Sequence, residues 1–164
     1  MVIIILACAV VAYDLGKVAL AKYSVQRAED GYVLGARDGD LKLVEFLDYG
    51  CRHCQDLHPI LMRALERDGN VVYLARPIFA GPDENGTRAG RLALAAGRQG
   101  KFVEAHQVLI ENYRPIDDVF INTFAQTLAI DAAQLQAVID VPEIDQAMID
   151  NLENLKALKG QYVP

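Results

Sequence analysis

Residues 42–54 read KLVEFLDYGCRHC, and QDLHP follows to residue 59. A nearly all-apolar run, Lys42 to Asp48, gives way to a segment that holds two of the three cysteines and two of the three histidines. The apolar run predicts a strand, and its lack of polar alternation suits a strand covered on both faces. From Cys51 to about Glu66, Leu57, Leu61 and Leu65 recur at i, i+4 and i+8, which predicts a helix. Asp68-Gly69-Asn70 is a turn signal. VVYLARPIF, residues 71–79, then reads as a second apolar strand. Strand, helix, strand in this order predicts a right-handed crossover with the two strands as parallel neighbours.

Three chemistries compete for Cys51 and Cys54. A zinc site would use both with His53 or His58, but zinc takes four ligands, usually with a second pair elsewhere. Cys8 lies in the apolar N-terminal run and reads as a small hydrophobe, and His106 is the one remaining histidine. A structural disulfide between residues three apart would close a very small loop and remove little chain entropy. A redox C-x-x-C beside a βαβ pattern fits the context best.

That reading assigns roles. Cys51 ends the strand-to-helix turn, where unpaired N–H groups and the helix dipole favour a thiolate. Arg52 adds positive charge, and His53 can donate a hydrogen bond or carry charge. Cys54, one turn further in, is expected to be more buried and to act as the resolving thiol. Glu45 shares a strand face with Leu43 and Leu47. An acid there is unfavourable without a task, so it is expected to relay a proton to or from Cys54. Asp48 reads as a turn or capping residue. His58 and His106 read as packed histidines, and Pro59 as a kink inside the helix.

The remaining chain is mostly helical. Helices are expected over Thr87–Arg98, Lys101–Asn112, Asp117–Leu128, Asp131–Asp140 and Pro142–Leu158, with Asp131 as an N-cap and Pro142 in a first turn. One domain is expected from 164 residues. The net charge of −6, with no Lys/Arg cluster, excludes a typical nucleic-acid binder. The charge-free run Met1–Tyr13 suits the apolar core of an export signal, and extension to Ala21 makes a marginal membrane anchor. A lipoprotein-like Ile5-Leu6-Ala7-Cys8 and a buried N-terminal helix are the other readings weighed.

At these residues the chain resembles the thioredoxin superfamily, in its DsbA-like branch of exported bacterial thiol–disulfide oxidoreductases. VEFLDYGCRHC is similar to that branch's strand-and-motif segment, with a glutamate six residues before the first cysteine and a histidine before the second. Pro59, five after Cys54, matches the kinked helix of thioredoxins. YVLGARDGDLKLVEF, ARPIF and RLALAAGRQGKFVEAHQVL resemble the suppressor-of-copper-sensitivity subgroup. Arg52 departs from the proline that the most oxidising relatives often carry.

The resemblance implies an α/β thioredoxin-like fold with an inserted helical domain. It divides the chain into an export or anchor segment at 1–23, a linker with a possible edge strand at 24–41, core at 42–80 and 159–164, and a helical insertion with return helix at 81–158. ALKGQYVP resembles the approach to the cis-proline loop, which implies that Val163 and Pro164 guide substrate backbone. The two strands and final helix that complete the fold in relatives have no counterpart here. The implied activity is oxidation or isomerisation of secreted proteins by Cys51 and Cys54, with neither metal nor organic cofactor. The implied partners are reduced or unfolded secreted proteins and a membrane redox protein that resets the disulfide. Two other classes compete: a glutathione-dependent transferase or isomerase, against which an intact C-x-x-C counts, and a non-catalytic thioredoxin-like binding module.

Overall fold

The computed structural model describes residues 2–26, 33–79, 81 and 83–159. In chain order the elements are α1 Val2–Gln26, β1 Val33–Gly35, β2 Leu41–Leu47, α2 Arg52–Asp68, β3 Val71–Pro77, α3 Glu84–Gly97, α4 Phe102–Ile110, α5 Asp118–Leu128, α6 Ala132–Ile139 and α7 Pro142–Ala157. Among the described residues the sheet has the order β1-β3-β2. β1 runs antiparallel to β3, and β2 runs parallel to it from Leu41↔Val71 to Leu47↔Pro77. The expected βαβ unit and edge strand are both present. This is a mixed α/β fold, rich in helix.

β3 carries the core and is buried along almost its whole length. β2 departs from its expected burial on both faces. It is exposed at Leu41 and Lys42 and half-buried from Leu43 to Phe46. Among the described residues it is an edge strand, and one long side of it lacks a neighbour.

Strand parity divides the sheet faces. Leu43, Glu45 and Leu47 of β2 lie beside Tyr73, Ala75 and Pro77 of β3. Leu47, Tyr73 and Ala75 join Cys54, Leu65, Phe102 and Ala105 in the main core. On the alternate parity, the Arg76 guanidinium donates to the Val25 carbonyl of α1 at 3.3 Å. Ala21 and Val25 are buried, so the last turns of α1 are packed parts of the fold. The helix reaches Gln26, beyond the residue 23 expected for a separate segment. Asn151 of α7 donates to the Pro77 carbonyl at 2.9 Å and ties the return helix to the end of β3.

α3 begins earlier than the sequence pattern predicts. α3 starts at Glu84 rather than Thr87, because the Asp83 carboxylate caps it, accepting from the N–H groups of Asn85 at 3.0 Å and Gly86 at 3.2 Å. Asn85-Gly86 looks like a helix breaker, but the glycine serves a close approach. A Cβ on Gly86 would lie 2.4 Å from Asp48 Oδ1 and 2.7 Å from the Gly50 nitrogen. The first turn of α3 therefore rests on the turn that precedes Cys51.

Gly86→Ala should destabilise the fold by about 1–3 kcal/mol, the usual range for overpacking, read as a lower urea midpoint at unchanged slope. An unchanged midpoint would show that the two backbones are free to separate.

Candidate functional site

The turn between β2 and α2 is fixed by its own short polar groups. The Gly50 N–H donates to Asp48 Oδ1 at 2.9 Å, and the Cys51 N–H donates to the Asp48 carbonyl at 3.0 Å. Asp48 is thus the turn residue expected from sequence. The Tyr49 carbonyl accepts from the buried Gln55 side chain at 2.9 Å. Cys51 stands at the N-cap of α2 with extended backbone, φ −77° and ψ 114°. It is half-buried, whereas Cys54 has no exposed surface. The N–H groups of the first turn of α2 point toward the Cys51 end.

Cys54 and Cys51 are joined by a side-chain hydrogen bond. Burial pushes the Cys54 thiol up to about 12; a backbone hydrogen bond from Asp48 opposes this, while the Cys51 hydrogen bond and the Cys51 and Glu45 charges add to it. Cys54 is therefore a protonated thiol at neutral pH and needs a base before it can attack.

Glu45 stands on the same sheet face as Tyr73, whose hydroxyl donates to Glu45 Oε2. Burial holds the Glu45 carboxyl above the ordinary carboxylate range, and the Tyr73 hydrogen bond pulls it back in part. The Tyr73 phenol is pushed upward by burial and then by the Glu45 charge. Glu45 also lines a groove of about 350 Å³ with Leu43, Val44, Phe46, Leu57, Leu61 and Leu155.

The other expected site residues divide. Arg52 and His53 are exposed on the first turn of α2. The Arg52 guanidinium lies 3.7 Å from Asp56 and 5.0 Å from the centre of the Tyr113 ring, so its charge is shared with neighbours beyond Cys51. Val163 and Pro164 lie outside the described residues. Among the described residues no cluster of three or more His, Cys, Asp or Glu could hold a metal ion.

The sequence reading missed Tyr73 and Tyr49. The signal available was a phenol in the turn after β2 and another within the apolar run of β3, since a buried tyrosine generally finds a partner for its hydroxyl. His106 of α4 is packed, as expected, but against the site itself. Its Nδ1 is 3.0 Å from the Tyr49 hydroxyl. Its ring centre is 5.0 Å from His58, 6.2 Å from Tyr73 and 6.1 Å from Phe102. Burial and then the neighbouring His58 push His106 down to about 3, and burial lowers His58 as well.

Residues 27–164 match the family model described as Thioredoxin. Among solved structures, a thioredoxin-like oxidoreductase from Silicibacter pomeroyi is 28% identical, with a TM-score of 0.68 over 77% of this chain and 73% of that one. The catalytic domain of ScsC from Proteus mirabilis is 25% identical, with a TM-score of 0.68 over 90% of this chain and 83% of that one. The thiol-disulfide exchange protein alpha-DsbA2 from Wolbachia pipientis is 22% identical, with a TM-score of 0.67 over 90% and 81%. No curated protein matches the chain significantly.

A histidine kept neutral by burial makes stability depend on pH. His106 titrates near 3 when folded and near 6.5 when unfolded, so the unfolded chain binds more protons between those values. Stability should fall as pH drops through that window, by up to about 1.4 kcal/mol per unit from this residue. Glu45, whose carboxyl is raised, opposes this in the acid range. Urea midpoints measured from pH 7 to 4.5 should show the wild-type advantage over His106→Asn shrinking with acid. A constant difference would mean that His106 does not titrate on unfolding.

Proposed function

Because this chain belongs to the thioredoxin family, as its match over residues 27–164 shows, we propose that it is a protein thiol–disulfide oxidoreductase of the bacterial cell envelope working through Cys51 and Cys54. The observation that carries this is the asymmetry of the pair. Cys51 is half-buried at a helix N-terminus, and Cys54 is buried, protonated and hydrogen-bonded to it. An accessible thiol beside an inaccessible one suits attack by substrate on the first and resolution by the second.

In the oxidising direction, a substrate thiolate attacks the Cys51 sulfur of the Cys51–Cys54 disulfide. The S–S bond breaks, and Cys54 leaves with the electron pair and takes a proton. A second substrate thiolate then attacks the substrate sulfur of the mixed disulfide, and Cys51 leaves as a thiolate. The substrate loses two electrons and the pair gains them. In the reverse direction Cys54 must lose its proton to resolve the mixed disulfide. Glu45 is the base that fits this step, since its charge acts on Cys54 and its pKa is raised toward neutrality. Arg52, His53 and the N-terminus of α2 favour the Cys51 thiolate. Val163 and Pro164 would guide substrate backbone.

The substrates are reduced or unfolded secreted proteins, and a membrane redox partner resets the pair. Export is supported by the apolar run at 1–13. Among the residues whose side chains the structure describes, no helix is long and apolar enough to cross a membrane. The division into export segment, core and helical insertion belongs to this same proposal.

A glutathione titration of the full chain, read by the mass shift of thiol alkylation, should give one reversible two-electron couple. Cys54→Ser should trap a mixed disulfide on Cys51, and Cys51→Ser should trap none. Absence of a reversible step in the wild type would overturn the redox function. Glu45→Gln should slow resolution of the mixed disulfide at neutral pH by about 100-fold, the range of a general base, measured by stopped-flow in single turnover. An unchanged rate would remove Glu45 from the proton path.

A further inference from the structure

His106 serves no step of the proposed reaction. It has no exposed surface and belongs to α4 of the insertion, yet it faces the redox core. Its Nε2 has no hydrogen-bond partner among the described residues. An imidazole with one unpaired nitrogen is unfavourable in a core that an apolar side chain could fill. The surrounding rings come from separate parts of the site: Tyr49 from the turn before Cys51, His58 from α2 and Tyr73 from β3. The polar service His106 performs is its hydrogen bond to the Tyr49 hydroxyl, 3.0 Å long and buried, between residues 57 apart in sequence.

Tyr49 transmits that bond to the thiols. It stands two residues before Cys51, and its carbonyl holds Gln55, next to Cys54 in α2. The Gly50–Gly86 approach is a second contact between the insertion and this turn. We propose that His106 is a positioning residue of the redox pair: its buried hydrogen bond to Tyr49 ties the helical insertion to the Cys51 turn and stabilises the reduced pair. The proposal rests on the redox role of Cys51 and Cys54. The sign follows from what holds the turn in each redox state. In the oxidised pair the covalent S–S bond constrains the turn by itself, so the clamp matters more to the dithiol. Stabilising the dithiol makes the disulfide a stronger oxidant.

The test is the glutathione equilibrium constant of the full chain and its variants. His106→Leu removes the polar group. Tyr49→Phe removes the other half of the bond with little change of volume. His106→Asn keeps an amide near the position of Nδ1. His106→Leu and Tyr49→Phe should each make the pair more reducing by about fivefold, the scale of one net buried hydrogen bond, which is about 20 mV for two electrons. The double variant should shift no further than either single one. His106→Asn should stay within about twofold of wild type, since it restores the bond.

A pure packing role would shift His106→Leu and His106→Asn alike, and that outcome overturns the proposal. So does a Tyr49→Phe equilibrium equal to wild type, which remains decisive if His106→Leu fails to fold. A wild-type chain without a reversible couple removes the redox function first, and the proposal with it. A normal wild-type couple that none of the variants shifts overturns the proposal alone.

Discussion

The site depends on one short constraint: the turn from Asp48 to Cys51 must leave an edge strand, present a thiol and start a helix. Its polar groups are consumed locally, with Asp48 accepting from both Gly50 and Cys51. Its one large apolar anchor is the Tyr49 ring, buried in the core. It is held from outside, by the Gly86 backbone of α3 and by His106 of α4. α3 and α4 thus complete the environment of the turn that carries Cys51, and the start of α3 at Asp83–Gly86 is shaped by that contact.

The same constraint explains why polar residues gather in an otherwise apolar core. Glu45 and Tyr73 act on Cys54, Tyr49, His58 and Tyr73 surround His106, and burial shifts Glu45, Tyr73, Cys54 and both histidines toward their neutral forms. Neutrality is what makes this cluster tolerable, since an uncompensated buried charge is far less favourable than a hydrogen-bonded neutral group. By comparison the surface ion pairs are minor. Arg91 reaches Asp145 at 2.6 Å and Asp140 at 3.5 Å, joining α3 to the start of α7, but partly exposed pairs of this kind contribute about 0–1 kcal/mol.

Much of the fold was legible in the sequence because apolar periodicity and turn residues agree. Leu57, Leu61 and Leu65, the Asp68-Gly69-Asn70 turn and Pro142 each marked an element boundary or face that the structure contains. Two readings missed for the same physical reason. The burial of β2 and the start of α3 both depend on what lies beside them: a sheet edge in one case, the Gly50 backbone in the other. Periodicity describes one element at a time and cannot register a neighbour. The site behaved likewise. The paired cysteines and Glu45 stood out because their residue types are chemically unusual at those positions. Tyr49, Tyr73 and His106 have ordinary types for a core, and only the packing of residues 57 apart reveals that they touch.

The difference between the two thiols then follows from geometry more than from composition. Cys51 and Cys54 are separated by one helical turn, yet one faces the helix N-terminus and partial solvent and the other faces Glu45 and the closed core. Cys51 stands at the N-terminal end of α2, where the positive end of the helix dipole lies. Burial acts in the opposite sense and keeps the proton on Cys54. The two thiols thus differ in access and in proton affinity: Cys51 is half-buried, and Cys54 is closed off and holds its proton. A base that is itself buried beside it, as Glu45 is, gains proton affinity from the same desolvation. One physical cause, exclusion of water behind the pair, therefore both keeps the proton on Cys54 and raises the proton affinity of Glu45.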